Sequence, residues 1–563
     1  MSQVEQDRQI ILEARQKGPL ATFLTYSKLS GPGWLQGAIT LGGGSLAGSL
    51  YLGVIGGYEM MWLQPVMMIL GIVMLSAIGY VALSTGERPF DAINRHVNPV
   101  LGWGWAIATL MANLVWAMPQ FSLGTAALQQ NLLPGALGDD NGKFVAVFLL
   151  FGVSAVVIWF YESGGWGLKL FEILLKCMVA VVVLSFFGVV IAMSSQGDGL
   201  PWSEILAGFV PDLSLLNNPA SAFETALADS QHAEYWREQI LSTQRDRMVT
   251  AAATAVGINM TFLLPYSMLK RGWDRDFRGL AIFDLSVGLF VPFLLATSCV
   301  VIASASQFHG QYDPGLVGEA AATPGITDKL QGGYEKTLGA FEKTLEGSDG
   351  VKVAAELPDK RIAAMLVQRD AFLLANTLEK LTGPTVAHVV FGVGVVGMAF
   401  STIIILMLIN GFTMCEMLGI PAEGFQHRVA SLLPGVTGAL GFLFLWGDGE
   451  ARFWLAVPTS VFGMVLLPIA YLTFFLMMNN KRMLGEHLPQ GGRRSLVNAA
   501  MAVALAAATV GAGWSIWSKT KWIGVGGVAA FLLLVGIVHL VRGGGHDGRD
   551  LAVSPAGDES AAT

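Results

Sequence analysis

"GPGWLQGAITLGGGSLAGSLYLG", residues 31–53, is apolar and long enough to cross a bilayer, yet Gly42, Gly43 and Gly44 sit in its middle with Ser45 directly after them. Each glycine in a helix interior costs about 1 kcal/mol relative to alanine. A span this weak at its centre is expected to unwind there. Inside a bilayer, unwinding leaves amides and carbonyls without partners, at several kcal/mol each. Such a break persists where it lines a cavity or binds something. Free carbonyls can coordinate a cation, and the start of the second half-helix offers amides and a positive dipole end to an anion. "GGGSLAGS" also suits a close helix crossing through small residues. Three adjacent glycines point to all sides of a helix rather than to one, which favours unwinding.

The rest of the chain is of the same kind. Of its 563 residues, 53% are hydrophobic and 13% charged, with a mean hydropathy of +0.56. An ordinary soluble domain carries about a quarter charged residues, so this is a multispanning membrane protein with the lipid bilayer as its first partner. Its apolar runs are continuous, without the alternation of barrel strands, so the spans are helices. Twelve runs are long enough, approximately 33–54, 58–83, 101–130, 144–161, 167–194, 249–269, 280–305, 386–413, 429–446, 452–478, 496–516 and 523–541. Placing the N-terminus in the cytoplasm puts "LKRGWDRDFR" and "NNKRMLGEHLPQGGRR" on the cytoplasmic side and "GALGDDNG" and "WGDGEAR" opposite. This is the positive-inside pattern, and it places both termini in the cytoplasm, in a cell's inner membrane.

Residues 1–30 read as a polar cytoplasmic segment without a cleavable signal peptide, and 542–563 as a disordered cytoplasmic tail. Two connections, about 195–248 and 306–385, are long. The first carries the amphipathic stretch "SAFETALADSQHAEYWREQILSTQRDR", and the second has two periodic helical stretches. Together they read as a small extracellular cap, either a solvated lid or a substrate gate. Cys177, Cys299 and Cys415 lie in apolar runs and read as buried small side chains, with no disulfide or zinc spacing. Glu59, Glu172 and Glu416 lie near span ends, where loop Arg or Lys would pair them, and Asp284 lies close to Arg275 and Arg278. His388 is expected at the interface, and "WAMPQ", Trp116 to Gln120, is expected to break or kink the third span. No motif supports an enzyme, a cofactor or a nucleic-acid partner.

Several pieces resemble one family. They are "GPGWL", "GYEMMW" at 57–62, "STGERPFDAINRH", "WGLKLFE", "GMAFSTIIILMLINGFTM" with "HRVASLLPG", and "LLPIAYLTFFLMMNNKRMLGE". In this order and with this spacing they resemble the Nramp (natural resistance-associated macrophage protein) divalent-metal transporters. The resemblance implies an all-α LeuT-type fold of two five-helix inverted repeats over 31–490, followed by two extra spans over 491–541. In that fold the first and sixth spans are broken where substrate binds. The sixth, "AAATAVGINMTFLLPYSMLKRG", has Gly257 and Pro265 flanking Asn259 and Thr261. The implied substrate site comprises Gly42, Gly43, Gly44, Ser45, Asn259, Met260, Gln120 and Ser460.

The same alignment shows departures. The family's metal-binding Asp-Pro-Gly-Asn falls on Gly42 to Ser45, so the aspartate is Gly42 and the asparagine is Ser45. Its sixth-span methionine falls on Asn259, or on Met260 after a one-residue shift. Its two histidines fall near Thr261 and Tyr266. Its third-span acids, tied to proton movement, fall near Met118 and Phe121, or one residue on at Pro119 and Ser122. Its tenth-span glutamine falls near Ser460. A bare divalent cation wants hard oxygen ligands, usually with a carboxylate, and burying its double charge among neutral groups is costly. Three functions stay open. One is a carrier of divalent cations, among them a partly hydrated ion such as magnesium. Another is a carrier of a small organic solute such as an amino acid, held by its carboxylate on the half-helix amides. The third is a sensor or scaffold that does not transport. The coupling ion is open as well.

Overall fold

The structure, a computed structural model, describes residues 3–162, 165–195, 199–322, 327–345, 354–445 and 466–543, and every regular element among them is helical. Two short helices, α1 (Gln3–Lys17) and α2 (Pro19–Leu29), precede the spans. The first span is a bent pair, α3 (Pro32–Thr40) and α4 (Gly43–Gly56). Then follow α5 (Leu63–Thr85), α6 (Pro99–Ala127), α7 (Asp140–Glu162) and α8 (Gly165–Ser194). The sixth span is α9 (Ala233–Ala253) and α10 (Ile258–Lys270); the seventh is α11 (Arg278–Asp284), a π-helical stretch (Leu285–Phe290) and α12 (Val291–Phe308). The second long connection holds α13 (Thr327–Leu345), α14 (Leu357–Met365) and α15 (Ala371–Thr382). The last spans are α16 (Phe391–Leu418), α17 (Gly424–Phe444), α18 (Leu467–Met478), α19 (Gly491–Lys519) and α20 (Lys521–Gly543). Among the described residues nine helices are long and apolar enough to cross a membrane, or ten with the bent pair. The places of the ninth and tenth expected spans are held by α17 and α18. The first part of the tenth, with Ser460, lies outside the described residues.

Three expectations need correction. Cys177 is exposed rather than buried, while Cys299 and Cys415 are buried as expected. The amphipathic stretch before the sixth span is not one helix of the connection: its start forms a short helix, Ser221–Ala228, and the rest belongs to a longer one, α9, which runs unbroken from Ala233 to Ala253 beside the break. The break therefore falls at Thr254 to Gly257, and Pro265 lies inside the buried second half, α10. The third span does not break at "WAMPQ" either. Helix α6 continues through Pro119, and its irregular turn comes later, as a π-helical stretch at Leu128–Leu132. A proline removes one amide hydrogen bond, which a span can absorb when its neighbours pack tightly. Here Phe121 is fully buried, and a methyl on Gly438 of α17 would lie 2.8 Å from its ring.

The two broken spans lie against each other, α4 along α9 and α3 along α10. Glycine sets these approaches. A methyl on Gly48 of α4 would lie 3.3 Å from the Cα of Ala251 on α9, and one on Gly53 would lie 2.7 Å from the Val301 carbonyl of α12. The small-residue crossing thus holds for the later glycines of the opening stretch, while the unwinding is confined to Leu41 and Gly42, and Gly43 and Gly44 begin α4. Helix α16 packs along α6, α17 and α8 and forms the wall facing the break.

At the end of the bundle away from the termini, the two long connections fold into a cap with its own core. The ring centroid of Phe341 on α13 lies 4.8 Å from that of Trp236 and 5.0 Å from that of Tyr235 on α9. Asp359 on α14 is buried and accepts from Trp236 Nε1 at 2.8 Å and Ser230 Oγ at 2.5 Å, and His232 Nδ1 lies 3.0 Å away. The cap is therefore built onto the same helix that runs down to the sixth-span break.

Candidate substrate site at the two helix breaks

Helices α3 and α4 meet at a 55° bend. Leu41 (φ −79°, ψ 67°) and Gly42 (φ −124°, ψ −175°) carry the turn. Both φ values are negative and open to any residue, so conformational freedom is not why position 42 is glycine. Space is the reason. A methyl on Gly42 would overlap the Thr402 hydroxyl of α16 and lie 3.2 Å from that residue's Cβ and Cγ2. On Gly43 it would lie 2.9 Å from Leu123 Cδ2 and 3.0 Å from Gln120 Oε1. Gly44 is exposed and would meet only Thr254 Cγ2, at 3.8 Å. The three glycines thus serve two crowded contacts and one open face.

The freed backbone is partly re-bonded by side chains. Gly43 N donates to Gln120 Oε1 at 2.9 Å, and Gly42 N lies 3.1 Å from Ser45 Oγ, which itself donates to the Gly42 carbonyl at 2.8 Å. Ser49 Oγ donates to the Ser45 carbonyl at 2.7 Å and also meets Gln64 Oε1 at 3.0 Å. In the last turn of α3 the Gly37 carbonyl accepts from Leu41 N at 3.0 Å, while the carbonyls of Ala38, Ile39 and Thr40 have no following helical amide to accept from. They form the negative end of that half-helix's dipole.

Met260 joins the two breaks. Its Sδ accepts from Thr40 Oγ1, the last residue of α3, at 3.2 Å and from Gly257 N, at the sixth-span break, at 3.4 Å. Its carbonyl accepts from Gln36 Nε2 at 3.2 Å, and Gln36 Oε1 is buried without a partner. Asn259 turns the other way, donating from Nδ2 to Asn113 Oδ1 on α6 at 3.3 Å. Of the residues expected in the site, Gly42, Gly43, Ser45 and Gln120 are joined by these hydrogen bonds, Met260 reaches α3 through Thr40, and Asn259 faces the third span. Gly44 lies on the open face, and Ser460 lies outside the described residues. Gln36, Thr40, Asn113 and Thr402 also meet at the breaks and were not expected. Spacing alone could have pointed to Gln36 and Thr40, which lie within two turns before the glycines, but nothing local marks Asn113 or Thr402.

All of these side chains are uncharged. Among the described residues no group of three or more His, Cys, Asp or Glu could hold a metal ion. The acids lie elsewhere, in structural pairs. Glu172 accepts from Arg271 at 2.5 Å and Glu416 from Arg88 at 3.1 Å, as the span-end reading anticipated, while Glu59 accepts from Ser221 N at 3.2 Å. His388 Nε2 lies 3.1 Å from Glu379 at the edge of the eighth span. Asp284 pairs with neither nearby arginine of its own loop. It accepts from Ser30 Oγ, from Gly31 N at 3.1 Å and from Gly33 N at 2.7 Å, and so caps the start of α3.

The two ends of the site differ. At the end with the termini, the Asp284 cap, the Arg271–Glu172 pair and Lys176 Nζ donating to the Ser30 carbonyl at 2.9 Å close the base of α3. The cavity left there, beside Leu35, Ser267 and Lys270, is about 20 Å³, room for about one water. At the cap end one face of α4 is open: Gly44 and Ala47 are exposed and Tyr51 is half-exposed. The Arg247 guanidinium stacks over the Tyr51 ring at 4.6 Å, and Gln368, from the loop between α14 and α15, donates to the Tyr51 hydroxyl.

Comparison with known proteins adds to this geometry. The sequence profile described as "Natural resistance-associated macrophage protein-like" (Nramp) matches residues 33–323 and 353–517. Among solved structures, two mutants of a manganese transporter from Eremococcus coleocola, one with a histidine changed to alanine and one with a glutamate changed to glutamine, superpose with a TM-score of 0.63 at 13% identity. Each alignment covers 92% of this chain and 94% of that one. The same transporter bound to an aromatic bis-isothiourea compound gives 0.61 at 13% identity, with the same coverage. A search of curated proteins finds no significant match.

Proposed function

We propose that this chain, which belongs to the Nramp family, carries a partly hydrated divalent cation through the paired breaks of its first and sixth spans. The family is one of integral-membrane metal-ion transporters, and the all-α LeuT-type fold agrees with it. The observation that carries the finer reading is the break itself. The carbonyl end of α3, the Met260 sulfur and the Thr40 hydroxyl meet at one point, and among the described residues no cluster of acids or histidines accompanies them. Neutral oxygens cannot offset the dehydration of a small divalent ion. An ion that keeps part of its water and bonds through it suits such a site. The side chains gathered at the breaks have no group that titrates near neutrality, so in this reading the ion crosses without exchanging a proton there. The termini are taken to be cytoplasmic, with the cap outside the cell. The closed base of α3 and the open α4 face then describe an outward-facing site.

A second reading draws on Gly44. Its amide lies at the positive end of α4, on the open face, where the carboxylate of a small organic solute would be attracted. Calorimetry on the purified chain separates the two. Saturable heat with manganese or magnesium chloride supports the cation carrier. No heat with either ion, with thermal stabilisation by amino acids, would replace it by the solute carrier.

A further inference from the structure

We infer that Thr402, on the eighth span, contacts the substrate at the first-span break and is the reason position 42 is glycine. The inference rests on the cation reading above and adds a residue from a helix that is itself unbroken. Three observations carry it. The Thr402 hydroxyl occupies the volume that any side chain at position 42 would take. The residue is buried, so the hydroxyl faces protein and the break rather than lipid.

The third observation is where the hydroxyl bonds. Buried threonines in spans normally return their hydroxyl to the carbonyl one turn back. Thr109, Thr297, Thr413 and Thr473 do so here, at 2.9, 2.6, 2.8 and 2.7 Å. Thr402 does not. Its hydroxyl leaves its own helix and reaches the Ile39 carbonyl in the last turn of α3 at 3.4 Å, the long limit of a hydrogen bond. A hydroxyl has one proton and two lone pairs. With the proton directed loosely at Ile39, its lone pairs remain available beside the negative end of the α3 dipole. That is a position for a cation or its bound water. Thr402 thus supplies a neutral oxygen where the backbone of Gly42 leaves room for one.

The test compares Thr402→Val, which keeps the shape and removes the hydroxyl, with Thr402→Ser, which keeps the hydroxyl. The full chain is titrated with manganese chloride and magnesium chloride, and its unfolding temperature is followed without ions. Thr402→Val should weaken ion binding by about tenfold or more, while Thr402→Ser stays within about threefold. In the same series Gly42→Ala should lower the ion-free unfolding temperature, and Gly42→Ala with Thr402→Ala should recover most of that loss. Wild-type binding in Thr402→Val overturns the inference and leaves the cation reading standing. No ion binding by the wild-type chain overturns the cation reading and the inference with it. An unfolding temperature unchanged in Gly42→Ala removes the steric half of the argument.

Discussion

Replacing Asp284 with alanine should destabilise the protein and loosen the base of the first span. The carboxylate holds Gly31 N at 3.1 Å and Gly33 N at 2.7 Å. Both amides start α3 and have no acceptor within the helix. Alanine leaves two buried N–H groups without partners, each costing about 1–3 kcal/mol. The Ser30 hydroxyl, also bonded to Asp284, can rotate away and adds little. Relief from burying the carboxylate offsets part of the loss, so a net cost of about 2–4 kcal/mol is expected. The Asp284→Asn variant would keep one acceptor oxygen but turn an NH2 toward an amide, for roughly half that loss. Two assays read the result. Unfolding temperature should fall in the order wild type, Asp284→Asn, Asp284→Ala. A Leu35→Cys probe should also label faster with a thiol reagent in Asp284→Ala, in a Cys177→Ser background because Cys177 is exposed. If Asp284→Ala unfolds and labels like wild type, the Asp284 cap does not hold α3 closed.

Three further outcomes follow from the cap end. Tyr51→Phe removes the hydroxyl that Gln368 grips, so an Ala47→Cys probe should label several-fold faster while stability changes by less than about 1 kcal/mol; equal labelling rates would show that this contact does not limit access. Arg369 is buried and donates to the carbonyls of Ala364, Met365, Val367 and Gln311, and burial pushes its guanidinium down to about 10. Arg369→Met should cost about 2–4 kcal/mol of local stability, seen as faster proteolysis within 354–385 with the spans intact; unchanged cleavage would contradict it. His309, just past the end of α12, is held below the usual histidine range, mainly by burial, against the opposing pull of the Val54 carbonyl and Glu59. Its neutral form is therefore favoured in the folded protein. That stability is present above the unfolded pKa of about 6.5 and is lost as pH falls through the lower folded value. Unfolding temperature should drop on acidification below about pH 6.5, and His309→Gln should flatten that drop; an equal drop in both proteins would assign it to other groups.

Much of the architecture was legible because bilayer-spanning helices announce themselves by length and hydropathy. The break at Gly42 was legible too, since three adjacent glycines weaken a helix on all its sides, although a close crossing through small residues is the other use the same stretch allows. Its cause was not. The sequence points to glycine's poor helix propensity, but the glycine at 42 is set by space: the backbone there is open to any residue, and Thr402, far along the chain, takes the volume a side chain would need. Asn259 and Met260 show the same limit. Adjacent on a helix, they point about 100° apart, so one reaches α3 and the other α6, and only the three-dimensional register decides which. The amphipathic stretch before the sixth span reads as one helix of the connection because its polarity ends where the membrane begins. Polarity marks the membrane boundary, while the helix continues through it. The stretch "WAMPQ" reads as a break or a kink, but the helix continues through Pro119, with Phe121 tightly packed beside it.

The central claim is that the cation sits at the paired breaks among neutral ligands. Anomalous diffraction from crystals grown with manganese chloride tests it most directly. One strong manganese peak is expected between the Ile39 carbonyl, the Thr402 hydroxyl and the Met260 sulfur. An empty break at saturating manganese, or a peak held by carboxylates elsewhere in the spans, would contradict it.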